Sequence, residues 1–421
     1  MAGFLLPTLS ILCLIVASVT AWPIPWPNIL STKSSINDES WIINPGEIPQ
    51  YVTEYAPVVH LWSEEKYLPY DIKSFVSHFY VKDNFDQNIT TNADLPLKLA
   101  VLGNLTALST PPLSLDGEKD TSDLFLTALD NFNTDPDWIT GMNNVPDIGT
   151  GYLKNAPAVL IVVDKGDGWV DAFWFYFYSY NLGPFVMGAG PYGNHVGDWE
   201  HSLVRFHNGV PQIVWMSAHG GGSAYHFDAM EKSASDQKRP VLFSARGTHA
   251  NYAAVGQHSH DIPYYILSDF TDRGPLWDPA QNCLAYTFDG TTVTHANGSH
   301  PGREETYGDW LNFAGHWGDK KLSPDDPKQE WHVFEWKYID GPLGPLSKNL
   351  LRSSVCQRSK WWNFWGECRI RTRINNGEGY DAEGYEGCGA IFSTIRPVWL
   401  RWILWAFTWR GYGCTIIDRF L

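Results

Sequence analysis

The chain has 421 residues and a formal net charge of −16. That acidity disfavours nonspecific binding to nucleic acid, whose phosphates demand cationic partners. The length is enough to bury a large core, either as one big domain with an appendage or as two domains. The chain carries 21 Trp, 20 Tyr and 21 Phe among 37 Gly, 27 Pro and many short β-prone runs. This composition predicts a mainly β fold, an antiparallel sandwich-like main domain with a core of large rings.

Residues 1–21 have the form of a cleavable signal peptide. Residues 4–17 are uncharged and mostly apolar, too short to span a bilayer as a helix, and Val19-Thr20-Ala21 supplies small residues for cleavage. An uncleaved anchor is the alternative. Residues 22–50 are a Pro/Ser/Asn-rich leader, and Pro23, Pro25 and Pro27 block continuation of a helix. The main domain is assigned to residues 51–347. Within it, 52–62 (VTEYAPVVHLW) has the pattern of a buried strand, while 95–124 is mixed and polar and receives no assignment. The run 169–180 (WVDAFWFYFYSY) has aromatics at both parities and belongs in the middle of a sheet. Strands are expected at 199–206, 211–219 and 240–245.

Composition then shifts to Arg, Trp and Cys, which places a C-terminal extension at 348–421. Cys356, Cys368, Cys388 and Cys414 lie there and suit two disulfides in one of three connectivities, leaving Cys283 over. Metal binding is the weaker reading of these cysteines, because no CxxC pair is present. Trp399, Trp402, Trp405 and Trp409 fall on one face of a helix that packs on a core or touches a membrane interface. Asn88, Asn104 and Asn297 begin glycosylation acceptor triplets, which agree with a secretory route.

The chemistry gathers between 195 and 278. Eight of fourteen histidines lie between His195 and His260. Asn208-Gly209 between two β-prone runs predicts a two-residue hairpin turn. In that register His207 faces Val210, Arg205 faces Gln212 and Asp198 faces His219. Because side chains alternate, Asp198, Glu200, Ser217 and His219 then share one face, and His195 can turn into the same space. Such a set suits a divalent cation held by His195, Asp198, Glu200 and His219. It also suits general acid–base catalysis by Asp198, Glu200, His219 and His249. A buried hydrogen-bond network with no ligand is the plain alternative. Gly220-Gly221-Gly222 and Gly247 leave room for close backbone approach or tight turns. The segment SDFTDRGPLWDP adds Asp269, Asp272 and Asp278. No GxSxG, P-loop or HExxH signature occurs.

Seven ordered segments, among them APVVHLWSEEKYLP (56–69), GDWEHSLVRF (197–206), RPVLFSARGTHANYAAVGQH (239–258) and LSDFTDRGPLWDP (267–279), resemble the vacuolar protein sorting-associated protein 62 family. The resemblance covers roughly residues 51–345. It implies a role in protein targeting to the vacuole, with vacuolar cargo or sorting machinery as partners, and no established reaction. A shorter resemblance links NHVGDWE (194–200) to the GHRHDWE heptapeptide of necrosis- and ethylene-inducing-like proteins, secreted β-sandwich cytolysins that bind a divalent cation and lipid headgroups. Asp198, Trp199, Glu200 and His195 match, whereas Val196 and Gly197 stand where Arg and the second His belong. Three functions are therefore expected: sorting from the lumenal side of the secretory pathway, metal-dependent hydrolysis, or glycan or lipid-headgroup binding. The destination expected is the ER or vacuole lumen or the extracellular space.

Overall fold

A computed structural model describes residues 43–105, 123–184, 190–259, 268–298, 306–332, 335–357 and 370–374. Its strands fall into two main sheets. The larger holds β4 (Ala158–Gly166), β5 (Trp169–Asn181), β6 (His195–His207), β7 (Val210–Ala218), β8 (Gly221–His226), β14 (Cys283–Phe288), β15 (Val293–His295) and β18 (Ile370–Arg371), in the order β15-β14-β4-β5-β6-β7-β8-β18. The smaller holds β1 (Val58–His60), β9 (Val241–Ser244), β10 (Asn251–Tyr252) and β13 (Leu276–Trp277), in the order β10-β9-β1-β13. Three two-stranded pairs complete the set: β2 (Phe79–Asp83) with β3 (Leu124–Ala128), β11 (Gly256–Ser259) with β12 (Ser268–Thr271), and β16 (Trp331–His332) with β17 (Glu335–Trp336).

The protein is mainly β, as its composition predicts. The run β4 to β8 is antiparallel throughout, while β14 beside β4, β18 beside β8 and β9 beside β1 are parallel additions.

The aromatic run 169–180 lies in β5, fourth of eight strands, and both its faces are buried. Phe173, Phe175 and Phe177 enter one core with Trp199, Leu203 and Trp215. Trp174, Tyr176 and Tyr178 enter a second core with Val204, Val214 and Met216. The smaller sheet covers this second face through Val59, Leu242 and Trp277, with the Trp277 ring 5.3 Å from Tyr176. Large rings thus fill both layers, where each fully buried aromatic contributes on the order of 2–3 kcal/mol. The first core runs on into residues 348–421, because Leu350 and Val355 belong to it and β18 adds to the edge of the sheet.

Two expected strands differ. Residues 52–62 divide into a short helix, α1 (Gln50–Glu54), and the three-residue β1, because Pro49 opens the helix and Pro57 stops it. The β6–β7 hairpin turns at Asn208-Gly209 with both φ angles positive, and His207 faces Val210 as predicted. One step later a bulge enters. Phe206 faces Pro211, but Arg205 faces Ile213, so Gln212 is the extra residue. Proline has no N–H for the ladder and is tolerated at such bulges.

Among the described residues, no helix is long and apolar enough to cross a membrane. Residues 1–42, most of 358–421 (including Cys368, Cys388, Cys414 and the tryptophan stripe) and Thr106 and Ser299 of the acceptor triplets lie outside the described residues.

Candidate functional site

The open end of the β6–β7 hairpin collects the charged side chains. β6 enters through Gly197, whose φ is +68; a Cβ there would stand 1.8 Å from the Trp317 carbonyl oxygen, so only glycine fits. The alternation of the strand breaks at this point, since Val196 and Trp199 both enter the same core. His195 is thereby brought within the electrostatic reach of Asp198, His249 and Lys348. The His195 Nδ1–H donates to the Gly197 carbonyl at 2.6 Å, so that in the neutral ring Nε2 is the acceptor. Burial holds its pKa below the ordinary value despite Asp198.

The bulge changes the pairing expected at this end. His219 does not face Asp198. Its Nε2 meets Asp269 Oδ2 at 2.7 Å. Asp269 also accepts from Thr248 Oγ1 at 2.8 Å and Tyr252 OH at 2.6 Å, which fixes a buried carboxylate in place. Asp198 is paired instead with His249, Nδ1 to Oδ2, at 2.9 Å. The imidazole of His249 lies flat on Tyr178, with centroids 3.7 Å apart and planes 2° apart, and its Nε2 is 3.8 Å from Glu65 Oε1. Glu65 is held by the N–H groups of Gly247 (2.8 Å) and Tyr67 (2.9 Å).

This is a carboxylate–imidazolium–carboxylate stack. Burial opposes the charge on His249, but the hydrogen bond to Asp198 and the attraction of Asp198 and Glu65 outweigh it and raise the pKa to about 9. The same contacts, with the backbone N–H groups, overcome burial at Glu65 and hold it below its usual range. His249 is fully buried and ties β6 to the 61–68 loop.

Glu200 behaves in the opposite way. It is buried, lies close enough to Asp198 to be repelled, and its carboxylate accepts from the Ser217 hydroxyl. Ser217 in turn accepts from the His201 N–H at 2.8 Å, standing in for a ladder bond where the two strands part. Burial, then the charge of Asp198, pushes Glu200 up to about 8, so it carries a proton at neutral pH.

His195, Asp198, Glu200, His219 and His249 therefore meet in one electrostatic cluster, joined by Glu65, Ser217, Lys348 and Asp269. Among the described residues, no three His, Cys, Asp or Glu side chains stand at the spacing of a shared metal ion. His219, with 21% of its side chain exposed against a buried Asp269, reaches solvent as an oriented imidazole. The asparagines of the three acceptor triplets, Asn88, Asn104 and Asn297, are all exposed.

A family model described as vacuolar protein sorting-associated protein 62 matches residues 169–321. Two relatives from Saccharomyces cerevisiae align over nearly the whole chain. Vacuolar protein sorting-associated protein 62 is 50% identical, over 94% of this chain and 88% of its own length. Putative vacuolar protein sorting-associated protein TDA6 is 49% identical over the same shares. Among solved structures, Necrosis and Ethylene inducing Protein 2 from the causal agent of cocoa's Witches Broom disease overlaps 51% of this chain and 71% of its own, at 13% identity and a TM-score of 0.23. NLPPya in complex with mannosamine overlaps 63% and 85%, at 10% identity and a TM-score of 0.25.

Proposed function

The chain belongs to the vacuolar protein sorting-associated protein 62 family, and on that premise we propose that it serves protein targeting to the vacuole from the lumenal side of the secretory pathway. The observation that carries this is the 50% identity over 94% of the chain to a relative bearing the sorting name. Four features support the lumenal side: the signal-like segment 1–21, the exposed Asn88, Asn104 and Asn297, the cysteines Cys356, Cys368, Cys388 and Cys414 suited to an oxidising compartment, and a titration pattern that favours acid. Its partners in this reading are vacuolar cargo or sorting machinery. The test is a Saccharomyces cerevisiae strain lacking both relatives. Newly made vacuolar hydrolases appear in the medium of that strain, and expressing this chain returns them to the vacuole. Hydrolases that reach the vacuole equally well with and without all three proteins would end the reading.

A second reading, hydrolysis by general acid–base catalysis, is favoured by the His219–Asp269 pair, a buried carboxylate orienting a partly exposed imidazole beside the protonated Glu200. A panel of chromogenic esters, glycosides and phosphates tests it. Turnover of one of them that is lost in His219→Asn and Asp269→Asn supports the reading, and a silent panel removes it.

A further inference from the structure

On the far face of the large sheet, residues 348–355 lie over β5, β6 and β7 and draw cations together. Lys165 Nζ donates to the Leu350 carbonyl at 3.3 Å, and Arg205 Nη1 to Ser353 at 2.8 Å. Arg205 also holds Asp171 through two bonds of 2.7 Å, so that carboxylate is already neutralised. Arg352 is 5% exposed. Its Nη1 donates to the Lys348 carbonyl at 2.8 Å and its Nε to Val355 at 3.1 Å. Its guanidinium rests 5.0 Å from the Phe173 ring centre and 4.8 Å from that of Trp215.

A buried guanidinium ordinarily has a carboxylate against it, because an uncompensated buried charge costs several kcal/mol. Here its contacts are carbonyls and rings. Its neighbours share the deficit. His201 is 1% exposed and stacks on Phe175 at 4.8 Å and against Trp215 at 4.9 Å. Among the described residues neither ring nitrogen of His201, nor Trp215 Nε1, nor Arg352 Nη2 has a hydrogen-bond partner. Trp215 touches both Arg352 and His201, and each of the three side chains therefore offers at least one N–H with no acceptor among the described residues. Buried N–H groups left in this way are rare and costly. A species rich in acceptors and bearing negative charge satisfies all three donors together and compensates Arg352.

We propose that Arg352, His201 and Trp215 form a binding niche for a small oxyanion or carboxylate, covered by residues 348–355. The His249 ring that pairs with Asp198 stacks on Tyr178, on the opposite face of the sheet from Phe175 and Trp215, and Lys348 is within electrostatic reach of both Glu200 and His201. The occupant of the niche would tie the start of the C-terminal segment to the centre of the sheet.

The test uses the purified full chain, exchanged into chloride buffer and titrated with sodium phosphate, sulfate or formate at constant ionic strength. Calorimetric titration and thermal unfolding are read together. At least one anion gives saturable heat and a saturable rise in unfolding temperature, and the three anions separate tetrahedral oxyanion from carboxylate preference. His201→Phe and Trp215→Phe keep a packed ring and remove one donor each, and each weakens the dissociation constant by about tenfold to a hundredfold. Arg352→Lys weakens it as well, and if that variant does not fold the two phenylalanine variants decide. No saturable binding in the wild type overturns the proposal. So does binding with the same constant in all variants, which means an adventitious ion only.

Discussion

Replacing Glu200 with Gln should stabilise the protein at alkaline pH and leave it almost unchanged in acid. The folded pKa of about 8 stands against an ordinary value of 4.5, raised by burial and by the neighbouring Asp198. Between those values the native state holds a proton that the unfolded chain has released. Stability therefore falls as pH rises, by about 1.4 kcal/mol per unit. Across the whole interval the loss is on the order of 5 kcal/mol, an upper figure for a group coupled to Asp198. Glutamine cannot ionise, matches the shape and can still bond the Ser217 hydroxyl. Urea unfolding of wild type and Glu200→Gln at pH 5 and pH 8.5 measures the difference. At pH 5 the two agree within about 1 kcal/mol, and at pH 8.5 the variant is more stable by roughly 3 kcal/mol or more. A difference that does not change with pH, or a variant that is weaker at pH 8.5, would refute the assignment of a proton to Glu200.

His249→Gln leaves Asp198 and Glu65 buried without their cation and costs about 3–5 kcal/mol. The folded pKa of His249, about 9, lies above its ordinary 6.5, so its contribution is complete below pH 6.5 and fades as pH rises through 9. The gap between wild type and variant is accordingly widest near pH 6, and a gap that widens toward pH 9 contradicts the ion-pair account. Gly197→Ala forces a Cβ onto the Trp317 carbonyl at a positive φ and destabilises by roughly 2–4 kcal/mol in thermal unfolding, and a neutral effect would show that β6 does not need this kink. Asn88→Gln, Asn104→Gln and Asn297→Gln each increase electrophoretic mobility of the secretory-pathway protein by one glycan where that site is used, and no change on glycosidase treatment of the wild type contradicts a lumenal passage.

Much of the sheet was legible because its signals are local. WVDAFWFYFYSY carries large apolar residues at both parities, which only a strand covered on two sides can bury, and β5 is that strand. Asn208-Gly209 specifies its turn through two adjacent positive φ angles. The gathering of Asp198, Glu200 and His219 at one end, with His195 beside them, follows from the same hairpin, whereas nothing in it places His249. Their partners do not follow from it. The bulge at Gln212 shifts the register by one, and the one local hint was Pro211, which cannot donate to a ladder. Asp269, on β12 and 50 residues beyond His219, and Glu65, in the loop after β1 and 133 residues before Asp198, approach from other elements of the fold, and no spacing along the chain encodes that approach. Composition marks Lys348 and Arg352 as the start of an appendage, yet Arg352 is buried against Trp215. The signal there was long-range packing, which composition does not carry.

The lumenal site of action is tested most directly by the fraction of a newly made vacuolar hydrolase that is secreted from cells lacking the two yeast relatives. Two forms of the chain are compared, the full chain and one beginning with a methionine before Trp22. The full chain restores retention of the hydrolase and the form without residues 1–21 does not. Equal restoration by both forms would contradict action from the lumen.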